Sequence, residues 1–187
     1  YVERLRRGEM DGRARPAIEL DTGSVVRVAG QRAFGQVVGA FAARLGAERA
    51  LQSGVSLVCI DGSGHLGRNG RWPEIAAAAG VGSLHFGQGL AGPGPVVPFG
   101  GCQGGLNTNP IAFGLPGVDG DDALILDGAT SAVSGSTLKQ LADRGELLDG
   151  PILARRDGTT SNDPADFVNG IAAITTFGGF KGYAISV

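Results

Sequence analysis

A chain of 187 residues is long enough for one domain or two small ones, and its net charge of −2 excludes the strongly basic surface that nucleic acid requires. No apolar run approaches the roughly 20 residues of a membrane span, and the charged opening YVERLRRGEM lacks the apolar core of a signal peptide. The chain therefore reads as soluble and cytoplasmic, with no nucleic-acid or membrane partner.

In chain order, residues 1–7 read as the end of a helix stopped by Gly8. AIEL and VVRVA flank DTGS and predict a hairpin. Phe34, Val37, Val38, Phe41, Ala42, Leu45 and Leu51 recur at helical spacing, so a helix is expected from Phe34 to Gln52. VSLVCI is a continuous apolar run and predicts a buried strand. Arg71 to Ala79 predicts a short helix with Pro73 in its first turn. Residues 87–110 are rich in Gly, Pro and Asn, with VVPF as one possible strand. IAFGLP and ALILD read as strands, Ser134 to Arg144 as a helix, and the rest through DGTTSNDP as turns. Strands, helices and a hairpin mix, which places the chain in the α/β or α+β class. Cys59 and Cys102 are far apart and read as two reduced thiols. The lack of an initial Met and the apolar ending GFKGYAISV read as a fragment cut at both ends.

GSGHLG, at Gly62 to Gly67, has the glycine spacing of a dinucleotide-binding turn. That reading demands an acidic residue at the end of a second strand about 20 residues on. Past Gly67 the chain offers Glu74, inside the predicted helix, and then no carboxylate until Asp119. The Rossmann reading fails on this context. His65 is the better candidate. It lies just past a strand, on a loop whose glycines leave room for a ligand, and imidazole exchanges protons near neutral pH. A structural histidine bound to a backbone carbonyl is the alternative. His85, in the strand-like SLHF, reads as a packed or surface histidine.

Three further stretches carry polar chemistry. Thr108 and Asn109 in NTNP can hydrogen-bond a polar ligand or simply form a turn. Asp127 ends an apolar run and can accept from sugar hydroxyls or cap a helix. Lys181 sits among glycines in GGFKG, where it suits an anionic ligand. No metal-ligand spacing, nucleophile elbow or Walker motif is present.

Taken in order, HLG, VVPFGG, GLNTNPIAF, LDGATS, DGTTSNDP and FGGFKGYAIS resemble the type 2 malate/L-lactate dehydrogenase family, whose relatives include ureidoglycolate, sulfolactate and piperideine-2-carboxylate enzymes. The resemblance extends over the whole chain. It implies a non-Rossmann α/β fold, with a mixed, largely antiparallel sheet and flanking helices. It also implies a homodimer that transfers hydride between NAD or NADP and a small 2-hydroxy or 2-oxo acid. By motif match His65 falls on the catalytic histidine. Leu66, Gly67, Asp127, Gly128, Ala129, Lys181 and Gly182 fall on cofactor-contacting positions, and Thr108 and Asn109 on the substrate side. The expected organisation is residues 1–50 in a helical, substrate-side domain, 51–175 in a cofactor-binding domain, and 176–187 opening a returning helical segment. Relatives carry a His-Gly helix and an arginine just before the position of Tyr1, a natural clamp for a substrate carboxylate. Neither is present here, and neither Arg68 nor Arg71 is preferred as a substitute. Many relatives also carry Gly-Lys where this chain has Ser136 and Thr137. A chain that keeps the fold, and perhaps nucleotide binding, without turnover is the competing reading; an unrelated Gly-rich binding domain is the third.

Overall fold

The computed structural model describes residues 1–89, 93–119 and 121–186. The chain divides into two units, each discontinuous in sequence. The first comprises Tyr1–His85 and Ala112–Asp127, the second Phe86–Ile111 and Gly128–Val187. The expected segment 176–187 ends on Val187, and the expected domain 51–175 includes Leu90, Ala91, Gly92 and Gly120; these five residues lie outside the described ones.

The first unit opens with helix α1 (Val2–Arg6), followed by the hairpin of β1 (Ala17–Asp21) and β2 (Val25–Ala29). The two strands pair antiparallel, with a register shift between Ile18 and Leu20. Helix α2 (Gly35–Ser53) then carries the chain to β3 (Leu57–Asp61), which pairs parallel to β2, so β2 is central in the order β1-β2-β3. A parallel neighbour needs such a crossover, and the helical periodicity from Phe34 onward supplies it. Val26, Val28, Ala33, Val38 and Leu45 form the buried core of this unit, with Phe41, Val58 and Ile60 packed against it. The Arg49 guanidinium reaches Asp21 at 2.7 Å and ties α2 to the hairpin.

Two expectations are corrected here. The VSLVCI run is not a buried strand: β3 is an edge strand, and Leu57 and Cys59 face out while Val58 and Ile60 face the core. A continuous apolar run cannot reveal which face is covered. On α2, Val37 and Leu51 are exposed, and much of the buried face consists of Gly35, Gly39, Ala42, Ala43 and Ala47. Small residues let the helix approach its neighbours closely. A Cβ on Gly39 would stand 2.6 Å from the Trp72 ring, so α2 presses directly on α3 (Arg71–Ala78).

The next sheet has the order β4-β5-β6, from β4 (Ser83–Phe86), β5 (Ile111–Leu115) and β6 (Leu124–Gly128). Pro73 of α3 packs on Gly114, whereas Leu84, Phe86, Leu124 and Leu126 are exposed.

The second unit has its own core of Val96, Leu138, Leu153 and Ile174. Helix α4 (Gly135–Arg144) begins where Ser134 Oγ accepts from the Thr137 amide. The region read as turns, through Pro164, contains two short strands, and two more short elements follow it. These are β7 (Leu153–Arg155), β8 (Thr160–Ser161), α5 (Pro164–Val168) and β9 (Ala172–Ile174), with the antiparallel order β8-β7-β9. Strands of two or three residues are too short to show alternation, so turn chemistry dominated the signal. Arg155 Nη2 lies 2.7 Å from the Asp166 carboxylate, and Ser161 donates to the same oxygen, which joins sheet and helix. These contacts hold the Asp166 carboxyl below its usual range, the Ser161 hydrogen bond contributing most and Arg155 next. VVPF forms no strand; Val96 alone makes isolated bridges, to Leu106 and Ile174. Helix α6 (Phe180–Ser186) follows, with Lys181 in its first turn as expected. The mixed fold with largely antiparallel sheets is the class expected from the resemblance; among the described pairings β2/β3 is parallel. Among the described residues no helix is long and apolar enough to cross a membrane.

Candidate functional site

In the first unit, His65 is exposed on a loop that the start of α2 supports. The Gly64 amide donates to the Ala33 carbonyl at 2.9 Å, and the Arg32 amide to the Gly62 carbonyl at 2.7 Å. Gly35 opens α2 directly beneath the loop, where an added Cβ would collide with the carbonyls of Gly64 and His65. Of the GSGHLG glycines, Gly64 serves packing, since a Cβ there would meet Met10 Cε at 2.9 Å, while Gly62 and Gly67 supply left-handed φ values of 59° and 81°. The imidazole Nδ1 accepts from the Gly67 amide at 3.1 Å and lies 3.4 Å from the Tyr1 hydroxyl. This is not the structural histidine bound to a carbonyl.

Leu66, with Gln36, Ala40, Arg68, Arg71 and Trp72, lines a groove of about 320 Å³ beside the loop. Arg68 and Arg71 both pair with Glu74, at 2.6 and 3.2 Å. Arg68 is the main cause, ahead of Arg71, of a Glu74 carboxyl held below its ordinary range. Both guanidinium groups are therefore already engaged by a carboxylate.

Asp127, at the end of β6, accepts from the Gly70 amide at 2.7 Å. Gly70 is the residue before α3, so the carboxylate sits at the amino end of that helix, where negative charge is favoured. Asp127 is not itself the N-cap residue of a helix, the alternative weighed for it; it lies in β6 and binds the amide of a residue 57 positions earlier. His85 is a packed histidine, as expected. Its Nε2 is 2.9 Å from Ser83 Oγ, and burial pushes its pKa below the ordinary imidazole value.

In the second unit, one backbone knot brings several of the expected residues together. The amide and hydroxyl of Thr130 both donate to the Thr108 carbonyl, at 2.9 and 3.1 Å. The Thr130 carbonyl accepts from the Phe177 amide at 3.0 Å, and the Phe177 carbonyl from the Gly182 amide at 3.0 Å. Gly182 is wedged so tightly that a Cβ there would stand 2.6 Å from both the Phe177 and Thr130 carbonyl oxygens. Gly128 and Ala129, which lead into Thr130, are half-buried, and Lys181 is exposed. Asn109 is buried, with a left-handed φ of 31° that asparagine tolerates, and it lines a groove of about 230 Å³ with Gly87, Gln88 and Pro110. Among the described residues no three His, Cys, Asp or Glu side chains gather to hold a metal ion.

Sequence reasoning missed Tyr1, Gln36, the Gly70 amide and Thr130. Tyr1 meets His65 across 64 residues, and such pairings leave no local periodicity. For Thr130 the signal was present: it is the polar residue inside the DGATS turn.

A family model for malate/L-lactate dehydrogenase matches residues 1–187. The chain is 37% identical over 169 residues to an L-lactate dehydrogenase of Cupriavidus necator, covering 90% of this chain and 48% of that one. It is 34% identical over 187 residues to hydroxycarboxylate dehydrogenase B of Escherichia coli O157:H7, covering 100% of this chain and 51% of that one. The crystal structure of delta1-piperideine-2-carboxylate reductase from Pseudomonas syringae superposes with a TM-score of 0.89 at 34% identity, over 100% of this chain and 55% of that one. The chain thus spans about half the length of the relatives it matches.

Proposed function

The chain belongs to the malate/L-lactate dehydrogenase family, and from that premise we propose that it forms part of an oxidoreductase that moves a hydride between NAD or NADP and a small 2-hydroxy or 2-oxo acid. His65 is the general acid and base. Leu66, Gly67, Asp127, Gly128, Ala129, Lys181 and Gly182 hold the cofactor, and Thr108 and Asn109 face the substrate. A homodimer in the cytoplasm belongs to the same proposal.

The observation that carries the catalytic role is an exposed imidazole whose Nδ1 is already engaged by the Gly67 amide. Its other nitrogen is then the one to meet a substrate oxygen. The donor chemistry supports a nicotinamide dinucleotide as well. Lys181 offers an exposed ammonium to a phosphate. Asp127 holds the start of α3 beside the His65 loop through Gly70.

When bound, the reduced cofactor supplies the hydride. The protein's task is the proton. As negative charge develops on the carbonyl oxygen, imidazolium His65 donates its Nε2 proton to it; in the oxidative direction the neutral ring accepts the hydroxyl proton at Nε2 when its own proton sits on Nδ1, turned away from the Gly67 amide. Such help is worth about 100- to 10,000-fold in rate.

Nicotinamide fluorescence titration tests cofactor binding, and loss of reduced-cofactor absorbance over a panel of 2-oxo acids tests turnover. Binding and turnover together are expected. Binding without turnover assigns this chain the nucleotide-holding role alone. Failure to bind either NAD or NADP overturns the proposal.

A further inference from the structure

The groove of about 230 Å³ in the second unit has a lining of one chemical kind. Phe86, Pro110, Ile111 and Ile185 supply apolar walls, and Gln88 and Asn109 supply two neutral amides. No Asp, Glu, Lys, Arg or His among the described residues lines it.

The local structure holds these walls together. The Gly87 amide donates to the Pro110 carbonyl at 2.9 Å, and a Cβ on Gly87 would meet Pro110 Cγ at 3.1 Å, so the stretch after β4 lies directly against the one before β5. Ile185 reaches the groove from α6. Lys181 stands one turn earlier on that helix but outside the lining, and under the proposed function a phosphate occupies it.

Asn109 is assigned to the substrate side, so the groove lies where a 2-hydroxy or 2-oxo acid extends its side chain. A carboxylate in that side chain would give up water and meet no cation in the lining, which is costly. An alkyl group gains by leaving water. The volume is below the roughly 300–1,000 Å³ of drug-sized sites, which suits a small acid.

We propose that this groove is the side-chain subsite for the substrate, and that it selects 2-hydroxy and 2-oxo acids with an uncharged alkyl side chain over those with a second acidic group. The proposal rests on the reading of the chain as part of a 2-hydroxy acid dehydrogenase with Asn109 facing the substrate.

Malate and 2-hydroxy-4-methylpentanoate separate the two classes. They share a carboxylate, a hydroxyl and a methylene, and end in either a second carboxylate or an isopropyl group of the same branching. With NAD or NADP present, kcat/KM for the alkyl acid is expected to exceed that for malate at least about tenfold. Phe86→Arg and Ile185→Arg each add a cation to the lining at an exposed position, and each is expected to shrink that ratio about tenfold. In ¹³C-methyl isoleucine spectra, assigned with Ile111→Val and Ile185→Val, the alkyl acid is expected to move both methyl signals and malate neither. Equal or higher kcat/KM for malate overturns the proposal. So does malate moving the same signals as far, or a wild-type ratio in both arginine variants. Turnover of the alkyl acid with both methyl signals unmoved overturns the subsite and leaves the dehydrogenase reading standing. Moved signals without turnover of either acid support the subsite and remove turnover from this chain. Neither shifts nor turnover overturns both.

Discussion

The His65 loop and the knot around Thr130 both rest on backbone hydrogen bonds but differ in how much side chains add to them. At the loop three side chains add contacts of their own: the imidazole on the Gly67 amide, Tyr1 beside it, and Asp127 on the Gly70 amide. At the knot, carbonyls and amides of Thr108, Thr130, Phe177 and Gly182 bond one another, with no space for a Cβ on Gly182. Side-chain contacts can exchange partners while the backbone stays in place, whereas backbone contacts fix a path. Under the proposed function, a proton-transfer group needs the first property and a surface that grips a cofactor needs the second.

The largest expected effect tests the adjustable side of this contrast. His65→Ala should lower turnover at least about 100-fold while leaving nicotinamide affinity within a few-fold. Steady-state rates and fluorescence titration check it, and an undiminished kcat removes His65 from the chemistry. Next comes the rigid side. Gly182→Ala places a Cβ against two carbonyl oxygens and should cost about 1–3 kcal/mol of stability, with weaker cofactor binding. Gly128→Ala is its control: an added Cβ there meets nothing within 4 Å, and the melting temperature should barely move. Equal losses in the two variants would erase the distinction between a wedged glycine and a free one.

Asp127→Ala should cost about 1–2 kcal/mol and open the Gly70 amide to hydrogen exchange. Retained protection at that amide would show that α3 holds the loop without the carboxylate. The smallest effect concerns His85. Burial disfavours its charged form, so its folded pKa lies below the ordinary value near 6.5. The unfolded chain then binds more protons in that window, and stability should decline as pH falls from about 6.5 toward the depressed folded value. His85→Gln should flatten this part of a melting-temperature profile; an unaltered slope assigns it to other groups.

Long elements were legible because each repeats its own signal. The helix from Gly35 to Ser53 and the β1/β2 hairpin stand where periodicity and turn residues put them. The outward face of β3 was not legible, because exposure depends on what lies opposite and Leu57 looks the same in either setting. Nor were β7, β8 and β9, whose two or three residues yield no period. In the candidate site, motif order singled out His65, Asp127 and Lys181 as positions of interest, but not the partners of the first two. The bond from Gly70 to Asp127 spans 57 residues, and only the pairing of distant strands and helices brings its ends together.

Cys59 and Cys102 are both exposed as free thiols, the first in one unit and the second in the other. The chain therefore comes supplied with one attachment point per unit, and a donor and an acceptor dye joined through maleimide would report the spacing of the two units without any engineered residue. Recorded molecule by molecule, with and without nicotinamide dinucleotide, energy transfer between the dyes would reveal whether that spacing is constant or changes as the ligand arrives.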